Sequence, residues 1–181
     1  MDFDRVNEER WSPRDFTSEE IDASILSELF EAIHWAQSSF NEQPWRYLVA
    51  TKDDGSARER LENCLLDGNA FAKEAWILGI SFAKSTFTRN GNPNRVAQHD
   101  LGAANQVLAL KAWELGLNTR FMAGFHVEKA AAAASSDFEP VAMFVIGKAT
   151  PEALSQGAGE RGRRPFAEYV FRSEWDQPFF K

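Results

Sequence analysis

The run Ala75-Trp-Ile-Leu-Gly-Ile-Ser-Phe82 constrains the fold more than any other stretch of this chain. It is apolar on both faces, so a strand made from it must be covered on both sides. A sheet with helices against each face meets that demand. The flanking sequence supplies the remaining parts. Trp45 to Thr51 alternates, with Trp45, Tyr47 and Val49 set against Arg46, Leu48 and Ala50, as a half-buried strand does. Pro140 to Gly147 reads as a further apolar strand, and Asn118 to Phe125 as a short strand or loop. Thr17-Ser-Glu-Glu20 has the form of a capping box, with Thr17 as N-cap and Glu20 reaching back. Ile21, Ile25, Leu29, Phe30 and Ile33 continue it as an amphipathic helix to about Ala36. A second helix contains Leu61 and Leu65 and ends near Gly68. The strongest helix runs from about Val96 to Leu115, closed by Gly116, and Val127 to Ala134 forms a short alanine-rich one. Residues 38–44 and 84–95 read as loops. The expectation from these segments is a sheet sandwiched by helices, built as one domain over residues 1–181.

Charge narrows the function classes. The chain holds 27 Asp and Glu against 20 Lys and Arg, a net charge of −7. That balance argues against a general nucleic-acid or anionic-membrane binder. Two basic clusters stand out from it, at residues 10–14 and 161–164. Arg10, Ser12 and Arg14 occupy every second position, so in an extended segment they project the same way. Pro13 discourages helix at Ser12, which supports the extended reading. Two guanidiniums and a hydroxyl form a donor-only face suited to a phosphate dianion. The plainer reading of the same residues is a pair of solvated arginines. A helix starting at Thr17 would add its N-terminal N–H groups near such an anion, if the chain turns that way.

Most ordinary catalytic kits are missing. Cys64 is the only cysteine, which leaves no disulfide framework and no CxxC pair, and its neighbours Leu61, Leu65 and Leu66 make it a core thiol. His34, His99 and His126 lie far apart with no partner at metal spacing, so no metal site is expected. His99-Asp100 is unaccompanied by a G-x-S-x-G elbow. Gly157-Ala-Gly-Glu-Arg-Gly162 satisfies G-x-G-x-x-G but lacks the strand before it and the helix after it, so it reads as a flexible loop. The acidic N-terminus has no apolar h-region and no run reaches membrane-spanning length, which points to a cytoplasmic protein. What remains suits chemistry carried by a bound cofactor. The aromatic tail (Phe166, Tyr169, Phe171, Trp175, Phe179, Phe180) is too apolar to hang free and is expected to pack on the body or on a second subunit.

Arg10-x-Ser-x-Arg14-x-Phe, Ser38-Ser-x-Asn-x-Gln-Pro-Trp45, Asn69, Gly116-Leu117, Gly124-Phe125 and Arg161-x-Arg-x-Pro165 follow one another along nearly the whole chain. In that order they resemble the FMN-dependent nitroreductase family. The resemblance implies a nitroreductase-like fold, an α+β three-layer αβα sandwich with a mixed, mainly antiparallel sheet flanked by helices, and an intertwined homodimer with one FMN in each of two pockets at the subunit interface. It assigns Arg10, Ser12 and Arg14, with Trp11 among them, to the FMN phosphate and ribityl, and Arg161 and Arg163 to the same phosphate. Asn69 falls on the pyrimidine side of the isoalloxazine, and the N–H groups of Ala123 and Gly124 face flavin N5 and O4. Ser38, Ser39 and Asn41 belong to the segment supplied by the other subunit. No side chain is assigned as a catalytic residue. NADH or NADPH reduces the flavin at N5, and a small electron-poor acceptor such as a nitroaromatic or quinone then takes the hydride, in ping-pong order. Arg14 and Lys73 are candidate contacts for the donor's phosphates. The resemblance also admits a specialised reductase, a flavin-consuming enzyme, or a flavin-binding redox sensor without turnover. Two departures fall near the substrate side: Gln37 stands where the family has Pro, and the stretch between Gly124 and Pro140 is abbreviated. Phe40, Phe71, Phe87 and Phe121 are available either to narrow that side or to fill the core.

Overall fold

A four-stranded sheet forms the middle layer of the computed structural model, which describes residues 3–180. Its strands are β1 (Trp45–Thr51), β2 (Ile77–Lys84), β3 (Asn118–Met122) and β4 (Phe138–Gly147). They lie in the order β1-β2-β4-β3, and each pairing is antiparallel. The helices are α1 (Phe3–Glu9), α2 (Ala23–Ile33), α3 (Ser56–Glu62), α4 (Ala97–Glu114), α5 (Val127–Ala131) and α6 (Pro151–Gln156).

β2 is central, and Ile77 to Ala83 are buried without interruption, as the apolar run requires. Its side chains feed two separate cores. Ile77 and Ala83 join Phe144 and Ile146 under α2 and α4, where Leu29, Ile33, Leu101 and Leu108 cover them. Leu78, Ile80 and Phe82 join Met143 and Val145 on the other face, covered by Leu61 and Cys64 from the α3 side and by Ala130 of α5. That division gives the three layers. Gly79 is required where it stands, because a Cβ there would lie 2.3 Å from Cζ of Phe144. Gly116, at φ +74°, closes α4 in the left-handed conformation that glycine adopts without strain.

The expected capping box does not form. Thr17 N donates to Lys148 O at 2.9 Å, Thr150 N donates to Asp15 O at 3.0 Å, and Phe16 bridges Ala149. This short antiparallel pairing keeps residues 15–17 extended. α2 starts instead at Ala23, capped by Asp22, whose Oδ1 accepts from Ser24 N at 2.7 Å. Its N-terminus therefore does not follow directly on the arginine cluster. The helix containing Leu61 is also shorter than expected, ending at Glu62, and Asp67–Lys73 forms a separate 3-10 turn. A helix, α6, precedes the G-x-G-x-x-G stretch where a dinucleotide fingerprint needs a strand.

The aromatic tail packs mainly on itself. Phe166 meets Tyr169 at 5.7 Å and Phe180 at 5.9 Å, and Phe171 meets Trp175 at 5.0 Å. Phe166 is nevertheless 62% exposed and Trp175 82%, so this chain alone does not cover them. Among the described residues no helix is long and apolar enough to cross a membrane.

Candidate functional site

The segment after α1 carries the first basic cluster, and its neighbours fix its shape. Arg10 N donates to Val6 O at 2.8 Å, which closes α1, and the chain then runs without regular structure to Phe16, bending at Arg14. Pro13 is fully buried, while Ser12 and Arg14 are exposed on the opposite side. Two remote elements hold this segment. Arg161 Nη1 donates to Arg10 O at 2.6 Å, and Arg161 also donates to Glu8 O. Glu8 lies in the last turn of α1, where a cation is favoured, and Arg10 follows the helix. From the sheet, Arg120 of β3 donates through Nη1 to Ser12 O at 2.7 Å.

The two basic clusters therefore lie near each other. The Arg10 guanidinium is held below its usual pKa, first by burial and then by Arg161 and Arg163. Arg120 is likewise held down, first by burial and then by Arg14. Among the described residues none of these five arginines forms an ion pair with a carboxylate, whereas Arg164 next door pairs with Glu168 at 3.9 Å. Like charges gathered without a counter-ion cost energy unless an anion joins them. The donors available, guanidinium N–H groups with the Ser12 hydroxyl, fit a phosphate dianion.

A second part of the site lies where the Asp67–Lys73 turn meets the end of β3. Asn69 Nδ2 donates to Gly124 O at 2.6 Å, which leaves its Oδ1 as an acceptor. Ala123 and Gly124 are exposed, and their N–H groups donate to no protein acceptor among the described residues. A Cβ at Gly124 would meet Asn69 Nδ2 at 3.5 Å, an ordinary contact, so the fold itself does not demand glycine there. Phe71 joins the two parts, with the guanidinium carbons of Arg14 and Arg120 at 5.9 and 5.5 Å from its ring centre. Lys73 is exposed in the same turn. Trp11 is half-buried between Arg10 and Ser12.

Ser38, Ser39 and Asn41 sit apart from this group. Ser39 N donates to the buried Asp100 of α4 at 2.9 Å, and Ser38 Oγ accepts from Gln43 N at 3.0 Å. Asn41 Oδ1 accepts from Gln43 Nε2 at 3.0 Å. The loop is wound tightly, with positive φ at Phe40 (55°), Asn41 (55°) and Gln43 (50°). Such backbone persists only where neighbours over-determine it. Asp100 does so from below, and Phe87 and Arg89 from the side, with Arg89 4.0 Å from the Phe40 ring centre. His99 contacts Asp100 at 3.1 Å, so this carboxylate serves the loop and not a nucleophile. Phe121 packs on Phe144 at 5.7 Å and belongs to the core. Cys64 is buried, and burial pushes its thiol pKa up, which fits an inert core thiol.

Sequence reasoning missed Arg120, Asp100 and Arg58. Arg58 is buried, and its guanidinium donates to the carbonyls of Ala72, Lys73, Ala75 and Trp76 at 3.0–3.3 Å. It thereby fixes the turn that carries Asn69 and Phe71.

The comparisons with known proteins bear on this arrangement. The Nitroreductase family model matches residues 8–76, which include the first arginine cluster, the Ser38–Asn41 loop and Asn69. No curated protein matches the chain. A crystal structure described as an oxidoreductase containing FMN is 28% identical, covers 97% of this chain and 93% of its own, and superposes with a TM-score of 0.83. A Desulfovibrio desulfuricans protein described as a nitroreductase in complex with FMN is 25% identical, with coverage of 94% and 96% and a TM-score of 0.73. A nitroreductase family protein from Clostridium difficile, at 19% identity, coverage of 96% and 99% and a TM-score of 0.76, shares the fold. Over residues 8–76 the chain thus matches the nitroreductase family, and over nearly its whole length it has the nitroreductase fold.

Proposed function

We propose that the chain is an FMN-dependent NAD(P)H oxidoreductase that acts as a homodimer, each subunit contributing to a flavin site at the interface. The observation that carries this is the gathering of Arg10, Arg161 and Arg163, none of which forms an ion pair with a carboxylate among the described residues. Its support from relatives is the FMN named for two of the similar structures.

The chemistry supplied by the bound flavin is two-electron transfer, from NADH or NADPH in one half-reaction and to an electron-poor acceptor, such as a nitroaromatic or quinone, in the other. The protein's part is binding and orientation. Arg10, Arg161 and Arg163, with the Ser12 hydroxyl, hold the phosphate, and Arg161 also ties the tail to the end of α1. Asn69 offers Oδ1 to a ring N–H because Gly124 O occupies its amide hydrogen. The unspent N–H groups of Ala123 and Gly124 orient acceptor atoms on the ring. Ser38, Ser39 and Asn41 serve the partner subunit's site, which accounts for their distance from the arginines of their own chain. The aromatic tail covers its apolar surface against that partner. No step calls for a strong acid or base from the protein.

Each clamp arginine supplies charge-assisted hydrogen bonds worth about 2 kcal/mol. Arg10→Ala or Arg163→Ala should therefore weaken FMN binding roughly 30-fold and strip the cofactor during purification. A variant that keeps the wild-type FMN content would count against the clamp.

A further inference from the structure

The five arginines divide into two groups. Arg10 feels Arg161 and Arg163, whereas Arg120 feels Arg14. One phosphate accounts for the first group. The second lies at the Asn69 end of the site, where both guanidiniums approach the ring of Phe71. Arg120 is poorly satisfied there. Its Nη1 holds Ser12 O at 2.7 Å, but its Nε is buried with no acceptor. Neither Arg14 nor Arg120 forms an ion pair among the described residues, although the chain holds 27 acidic residues. A structural arginine would be expected to recruit one of them.

We propose that Arg14 and Arg120 form a second anion subsite, set around Phe71, that takes the carboxylate of an anionic aromatic acceptor. The proposal rests on the oxidoreductase reading above and names the substrate class it would prefer. Three features favour a carboxylate on an aromatic body. Guanidinium forks match a planar carboxylate in pairs of hydrogen bonds. Phe71 supplies an apolar ring with both guanidiniums over it, so an aromatic body has an apolar neighbour at the forks. The subsite also adjoins Asn69 through the same turn, so an acceptor held there lies at the ring end of the site and not at the phosphate end. Arg120 acts on both parts at once, because the carbonyl it holds belongs to Ser12 of the phosphate-side segment.

The test uses the FMN-loaded protein, with benzoate and benzyl alcohol as charged and neutral probes in equilibrium titrations, and nitrobenzoate and nitrobenzyl alcohol as acceptors. Wild type should favour the carboxylate in Kd and in KM. Arg120→Gln should reduce that preference about tenfold, and Arg120→Lys should restore part of it as a point charge without the fork. Arg14→Gln, at an exposed position, carries the same test should Arg120→Gln fail to fold. An unchanged preference in both variants overturns the subsite. So does loss of FMN from Arg120→Gln to the extent seen in Arg10→Ala, since Arg120 would then belong to the phosphate clamp. A wild-type chain that never binds FMN overturns the oxidoreductase reading and the subsite together.

Discussion

Arg58 shows how much of a site can hang on a side chain that never meets a ligand. It is 3% exposed and collects four carbonyls from the chain between Ala72 and Trp76, with Glu62 at 2.8 Å on its Nε. Removing it orphans buried acceptors in the turn that aims Asn69. Arg58→Ala is expected to cost about 3 kcal/mol, read by urea unfolding, and to weaken FMN binding through Asn69. A cost below about 1 kcal/mol would mean that water replaces the guanidinium freely. In the sequence Arg58 looks like half of an exposed i,i+4 pair with Glu62, and nothing local distinguishes it. Arg120 is equally mute, a lone cation in a short strand whose partners, Ser12 and Phe71, are distant in sequence. The alternation of Arg10, Ser12 and Arg14 does not carry through: the chain bends at Arg14, whose guanidinium lies with Arg120 at the ring of Phe71 and apart from the Arg10 group.

Elements were legible where burial dictated them and illegible where pairing did. β1 begins and ends as its alternation predicts, but the burial departs from it: Val49, expected inward, is 37% exposed, and Ala50, expected outward, is 1% exposed because the second core covers that face as well. The Thr17 capping box, by contrast, is a local signal overridden by a bridge to residues 148–150, which no local pattern announces. Packing between β2 and β4 makes a sharp prediction. Gly79→Ala should destabilise by about 3 kcal/mol through collision with Phe144, and adding Phe144→Leu should recover part of that loss; equal stability of Gly79→Ala and wild type would contradict the packing. A polar relay crosses the layers as well. Tyr47 Oη donates to Asn105 Oδ1 at 3.0 Å, Asn105 Nδ2 to Ser81 Oγ at 3.3 Å, and Ser81 Oγ to Ala142 O at 3.1 Å. Burial raises the Tyr47 pKa above its usual value. A raised folded pKa means a contribution fully present below the unfolded value of about 10 and lost as pH climbs toward the folded one. Stability should therefore fall at alkaline pH more steeply in wild type than in Tyr47→Phe, compared by unfolding midpoints from about pH 9 to about pH 11. Parallel curves would show that Tyr47 ionises without penalty.

At the scale of the whole molecule, the tail and the loop at Ser38–Asn41 are the two features that the proposed homodimer would put to use. The tail leaves Phe166, Tyr169, Trp175, Phe179 and Phe180 largely exposed, more apolar surface than a lone chain usually shows. The strained loop is held firmly by Asp100 yet serves nothing in its own arginine site. On the proposed homodimer, wild type should sediment as a dimer and deletion of residues 165–181 should give a monomer while leaving Arg161 and Arg163 in place; a wild-type monomer would remove the shared-site reading. The substrate side was the least legible part of the chain, since it turns on Phe71, which sequence alone cannot separate from core. The central claim is simpler and is tested by the visible absorption spectrum of the purified protein, before and after anaerobic NADH or NADPH. The account predicts the bands of an oxidised flavin and their bleaching by at least one donor. A colourless protein that stays colourless with added FMN, or bound flavin that neither donor bleaches, would contradict it.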